Sequence, residues 1–182
     1  MAVNGFKKLE SIHELHESVH DRQTLLLKLK KELTGYSVFD LMKIQAQLEN
    51  EIKYLPPRYK KMFKEKVGEQ LFTNYKAIVS GGTYQNQKLD MELYLEFIEN
   101  FQTKLDSLTD EHLPDMTVLY HLCALYNIFI TLTPPHPEGT PFPGGYFVEK
   151  KDGDYYCPVR DKQDDNKDAL CRFCIAKQSE MK

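Results

Sequence analysis

The sequence predicts a mainly α-helical protein: a bundle of about five helices carrying a small C-terminal module of Pro/Gly loop, β-hairpin and short helix around a cysteine metal site. Three observations predict it. Apolar residues recur at helical spacing over several long stretches before residue 133. One stretch, Val118 to Leu132, is apolar nearly all round, as the buried post of a bundle is. And three of the four cysteines fall in the last quarter, behind five prolines at positions 134, 135, 137, 141 and 143. The division this implies is a helical bundle over 1–133 and a docked module over 134–182.

The first helix is expected from Leu9 to Leu33, with Ile12, Leu15, Val19, Leu26, Leu29 and Leu33 on one stripe and Gly35 as its stop. Glu10-Ser-Ile-His13 and Glu17-Ser-Val-His20 place a carboxylate and an imidazole one turn apart, as in di-iron bundles. Such a site needs matching carboxylates from other helices, and none can be assigned, so a solvated helix face is the simpler reading. Ser37, with Asp40 three residues on, reads as a helix start, and the helix runs through Ile52 to Pro56-Pro57.

A third helix follows from Arg58 to Val79, with Lys60, Lys61, Lys64 and Lys66 thickening a solvated face near its start. Ser80-Gly81-Gly82 reads as a loop, Asp90 to Leu108 as a fourth helix, and Leu113 or Pro114 to Leu132 as the fifth. No repeat of 20–50 residues and no low-complexity tract is visible.

In the module, Tyr146–Glu149 and Asp154–Cys157 flank Asp152-Gly153, a hairpin signal, and Cys157 ends the second strand. Asp165 or Asn166 would cap a last helix reaching about Gln178, with Cys171 and Cys174 on one face. The spacing Cys-x13-Cys-x2-Cys thus brings Cys157, Cys171 and Cys174 to a shared metal, zinc first and an iron–sulfur cluster second. The first pair of a two-pair zinc motif is incomplete, so a fourth ligand must come from elsewhere. His136 is the first choice, then Cys123 or His121, then Asp161. Cys123 is otherwise simply a core residue, and His136 a loop-ordering donor.

Composition narrows the function classes. A net charge of −3 disfavours a nucleic-acid binder, and no stretch reaches the roughly 18 apolar residues of a membrane span. The first residues lack the apolar region of a signal peptide, so the chain reads as cytoplasmic, where thiols stay reduced.

The runs His136-Pro-Glu-Gly-Thr-Pro-Phe-Pro-Gly-Gly145, Tyr-Tyr-Cys157-Pro-Val-Arg-Asp-Lys162 and Cys171-Arg-Phe-Cys174 resemble domain of unknown function 2115, a family of methanogenic archaea. The Leu48-Glu-Asn-Glu-Ile-Lys-Tyr-Leu-Pro-Pro-Arg-Tyr59 run fits the same family. The resemblance implies an intracellular protein of an anaerobic host and supplies no activity. It keeps the iron–sulfur option open.

The function expected from the residues is a scaffold whose structural zinc pins the module to the bundle and whose loop, near Phe142, Tyr146 and Tyr155, meets another protein. If only three protein ligands bind, the site is instead hydrolase-like, with metal-bound water and Glu138 or Asp161 as base. A third reading makes Cys171 and Cys174 a redox pair.

Overall fold

A computed structural model describes residues 5–84, 87–107, 115–163, 165–167 and 169–180. Helices α1 (Gly5–Ser18), α2 (Arg22–Leu33), α3 (Val38–Glu51), α4 (Pro57–Phe63), α5 (Glu69–Ser80), α6 (Met91–Asp106) and α7 (Asp115–Leu125) build the body. Short strands β1 (Pro141–Phe142), β2 (Tyr146–Phe147), β3 (Glu149–Lys151), β4 (Asp154–Cys157) and β5 (Lys177–Gln178) lie in the last quarter. The protein is mainly helical with a small C-terminal sheet, as expected. Among the described residues no helix is long and apolar enough to cross a membrane.

The helix expected over Leu9–Leu33 is two helices. The chain leaves the helical path after Ser18, and Asp21, extended at φ −152°, caps α2. Its carboxylate accepts the Thr24 amide at 2.8 Å, while the Asp21 amide donates to the Thr24 hydroxyl at 3.1 Å. This reciprocal cap satisfies amides that a helix start leaves open. The apolar stripe hid the break, because Leu15, Val19, Leu26 and Leu29 are buried on either side of it. The Glu-x-x-His face is solvated: His13, His16, Glu17 and His20 are exposed, and His13 pairs with Glu17 at 3.4 Å.

The other helix starts follow local chemistry. Ser37 and Asp40 form the expected capping box on α3, Pro57 opens α4, and Asp90 accepts the Leu93 amide at the start of α6. The start expected for the fifth helix, near Leu113 or Pro114, lies outside the described residues. Helices α4 and α5 are one rod joined by a widened turn at Lys64–Gly68. There Gly68 lets α3 approach: a Cβ on it would stand 3.0 Å from the Leu48 side chain. Lys61 of α4 and Lys64 of the widened turn are exposed and reach Glu65 and Glu49 respectively.

Helix α7 is the central post. Leu119, Leu122, Cys123, Ala124 and Leu125 are buried, and a second widened turn, Tyr126–Thr131, buries Ile128, Phe129 and Ile130. Around it pack Leu25, Leu29 and Leu33 of α2, Ile78 of α5, and Tyr94, Phe97 and Phe101 of α6. Leu132, at φ 52°, then breaks the helical path and releases the chain into the proline loop.

In the last quarter the hairpin is shifted from expectation. Glu149–Lys151 pairs with Asp154–Cys157 across Asp152-Gly153, both at positive φ, the geometry of a tight two-residue turn. Tyr146–Phe147 pairs instead with Pro141–Phe142. The expected last helix is absent. Leu170–Phe173 makes one tight turn, Cys174 is already extended (ψ 137°), and Lys177–Gln178 pairs in parallel with β4. A short isolated helix is marginal. Strand pairing, the Lys177–Asp154 ion pair and the Gln178 side chain bonded to Pro158 O and the Asp161 amide take its place.

Candidate metal centre

Three peptide segments meet beside α7: the proline loop, the end of β4 with the turn after it, and the tight turn at Leu170–Phe173. Their positions are fixed by pairing and anchoring. The pairing of β5 sets Cys157 opposite Gln178, and Ser179 donates to the Cys157 carbonyl at 3.0 Å. Leu170 and Phe173 plug into the main core, Phe173 with its ring 5.0 Å from Phe97. Arg172 reaches Glu96 at 2.8 Å, and the Asn100 side chain holds Lys167 O at 2.8 Å. On the other side, the Tyr59 hydroxyl donates to Pro141 O at 2.6 Å and ties the loop to α4.

The segments enclose a cavity of about 360 Å³ whose wall includes His136, Cys157, Cys171 and Cys174 together. All four of the chain's cysteines are free thiols. Cys171 and Cys174 are brought close by the tight turn, closed by the Cys174 amide on Cys171 O at 3.0 Å, rather than by a helix face. The expected helix was wrong, but both geometries put residues three apart side by side.

The surroundings of the sulfurs oppose one another. Burial pushes Cys157 up, while the Val159 and Arg160 amides donate to its sulfur and the Arg160 charge pulls it down. Cys174 is pushed up to about 11, first by burial and then by its neighbours Cys157 and Cys171, against the pull of the Ala176 amide and Arg160. That amide stands 3.5 Å from Cys174 Sγ. The backbone amides and the Arg160 charge ease formation of the thiolate that binds metal, but burial outweighs them and both groups are held as thiols. His136 is half-buried, with its ring against Tyr120 and edge-on to Phe142. Burial lowers its pKa to about 4, so it is a neutral imidazole. Neither of its ring nitrogens has a hydrogen-bond partner among the described residues.

The four groups share a cavity without forming a finished shell: among the described residues no three His, Cys, Asp or Glu side chains are placed to hold a metal ion. The remaining sequence candidates separate. Cys123 faces α5, its thiol directed at Leu71 O 3.7 Å away, and burial raises its pKa; it is a core residue. Asp161 is exposed and engaged by Arg160 at 3.1 Å, outside the cavity wall. Glu138 is exposed and lines a different depression, with Lys66 and Lys150. His121 does line the cavity, one turn from the Thr117 carbonyl that its Nδ1 contacts at 2.7 Å.

Sequence reasoning missed Tyr120 and Arg160. Tyr120 sits on a helix apolar on every side, where periodicity cannot tell which face meets the cysteines. Arg160 occupies the place where a paired zinc motif would carry its second cysteine, which was a usable signal.

Residues 21–179 match the family described as an uncharacterized protein conserved in archaea, DUF2115. A UPF0305 protein of Methanocaldococcus jannaschii is 36% identical over 155 residues, covering 84% of this chain and 93% of the relative. One from Methanothermobacter thermautotrophicus is 34% identical over 155 residues, 85% of this chain and 94% of the relative. Another, from Methanopyrus kandleri, is 32% identical over 136 residues, 70% and 90% respectively. No solved structure matches the chain. With the family match spanning all three cysteines and His136, the chain belongs to the DUF2115 family of archaeal proteins.

Proposed function

We propose that this is a metal-stapled binding protein, in which His136, Cys157, Cys171 and Cys174 close on one zinc ion and pin the C-terminal segment to the helical body. The carrying observation is the neutral, unpartnered His136 imidazole on the same cavity wall as three thiols, two of which receive backbone amides. Three thiolates and an imidazole are donors that structural zinc takes, at Zn–S distances near 2.3 Å. Side-chain rotation and loss of the thiol protons would complete the shell, so affinity falls with falling pH. Such a closed site is structural and leaves no open coordination position on the metal.

The partner in this reading is another protein. Its support is apolar surface left in solvent: Val38, Phe39 and Met42 on α3 are 71%, 76% and 60% exposed.

Metal and acid-labile sulfide, measured on protein purified without oxygen, test the site. The expected result is about one zinc per chain, colourless and without sulfide, with Cys174→Ser and His136→Ala each lowering zinc retention against a chelator. Iron with sulfide would replace zinc by a cluster. No metal in the wild type, or unchanged retention in both variants, would overturn the proposal.

A further inference from the structure

The cavity holds more than the four metal candidates. Its opposite wall is apolar, built by Leu48 of α3, Phe63 of α4, Val67 and Leu71 around the widened turn, and Met116 of α7. Widened turns inside helices recur at functional sites, and this one places Val67 on the wall. At about 360 Å³ the space falls within the roughly 300–1,000 Å³ of small-molecule sites.

Besides His136, two polar groups of the cavity lining have no partner among the described residues. His121 is only 5% exposed, and its ring stacks on Phe101 with centroids 4.5 Å apart and planes 7° from parallel. Its Nδ1 contacts the Thr117 carbonyl, which fixes the proton on Nδ1 and leaves the lone pair on Nε2. Nε2 has no partner among the described residues, and neither has the Tyr120 hydroxyl one residue away. Nε2 is not sealed from solvent, so its lone pair is open to a donor that enters the cavity. Three charged residues line the cavity, Glu51, Lys104 and Arg160, and Arg160 is answered by Asp161 at 3.1 Å. A net charge placed against the apolar wall of Leu48, Phe63 and Met116 would lose its water without a counter-charge on that wall.

We infer that this cavity binds a small uncharged ring compound carrying one hydroxyl or N–H donor, which His121 Nε2 accepts beside the Tyr120 hydroxyl while the ring packs against Leu48, Phe63 and Met116. The inference does not depend on which ion the thiols hold.

Three probes of one shape separate the chemistry: p-cresol, toluene and p-toluate, titrated into the full-length protein as purified and followed by ligand NMR and by the His121 Nε2 nitrogen shift. The expected order is p-cresol bound about tenfold more tightly than toluene, the worth of roughly one hydrogen bond, with p-toluate unbound. His121→Phe keeps the ring stacked on Phe101 and should erase the cresol preference. Leu48→Trp should fill the space and abolish binding of both neutral probes. Zinc content, unchanged in both variants, keeps these results separate from failure of the metal site. Equal binding of cresol and toluene, tightest binding of p-toluate, full cresol affinity in both variants, or no saturation of the wild type by cresol at millimolar concentration would each overturn the inference.

Discussion

The helical body and the last quarter of the chain are stabilised in different ways. The body buries a continuous set of Leu, Ile and Phe side chains from α1 to α7, and its backbone bonds are made within each helix. The last quarter has strands of two to four residues, and its own buried cluster is Val148, Cys157 and Ala176. A cluster that small cannot offset the conformational entropy of ordering the segment that follows residue 133. Its order therefore depends on attachments: Phe173 and Leu170 in the main core, Tyr59 on the loop, Arg172 on Glu96, and the proposed metal. A region so held should loosen locally, whereas the body should fail as a whole.

Phe97 is the sharpest probe of the body. It is fully buried, edge-on to Phe129 at 5.9 Å, and against Phe173 at 5.0 Å. Phe97→Ala should cost about 3–5 kcal/mol and lower the urea midpoint of every probe together. Phe173→Ala removes a ring just as buried, from the other side of the same contact. Here the loss should be local: amides of Val148 and Ser179 should exchange about a hundredfold faster, the equivalent of roughly 3 kcal/mol, while those of α2 and α7 hold. Uniform loss of protection throughout the molecule would erase the distinction between the regions.

The sequence read the body better than the last quarter, for physical reasons. Helix starts at Ser37, Pro57 and Asp90, and the burial of α7, follow from local chemistry and periodicity. Asp21 was legible too, since Asp and Thr three apart can cap each other, but an apolar stripe interrupted only at Arg22 outweighed it. The strand at Lys177–Gln178 was not legible, because its partner lies twenty residues away and nothing in Lys-Gln favours a strand. His136 and the three cysteines line one cavity, and their grouping in the sequence rested on residue type and spacing rather than on the expected helix.

Acid tests the same contrast through His136 in metal-stripped protein. Its pKa falls from 6.5 in the unfolded chain to about 4 when buried, so between those values the unfolded state binds the extra proton. Stability should be intact above about pH 6.5, decline as pH drops through that range, and level off below about 4, by about 2–3 kcal/mol in all. His121, also lowered by burial, adds to the slope with the same sign. His136→Phe should flatten most of it in a urea series run across this range. An unchanged slope would place the acid-sensitive group elsewhere. Within the body, Asp21→Ala should cost about 1 kcal/mol by removing the cap of α2, seen as a small shift of the same midpoint.

The smallest effect is the most discriminating. Arg172 lies over the Phe173 ring at 4.6 Å and pairs with Glu96, whose side chain is 49% exposed. Ion pairs this open to water contribute about 0.2–1 kcal/mol. Glu96→Gln keeps the size and polarity of the side chain and removes its charge, so exchange at Val148 and Ser179 should quicken only about two- to fivefold, within that energy range. A hundredfold change, equal to that of Phe173→Ala, would mean that charge rather than the buried ring attaches the last quarter. The apolar plug of Leu170 and Phe173 would then be a consequence of docking instead of its cause.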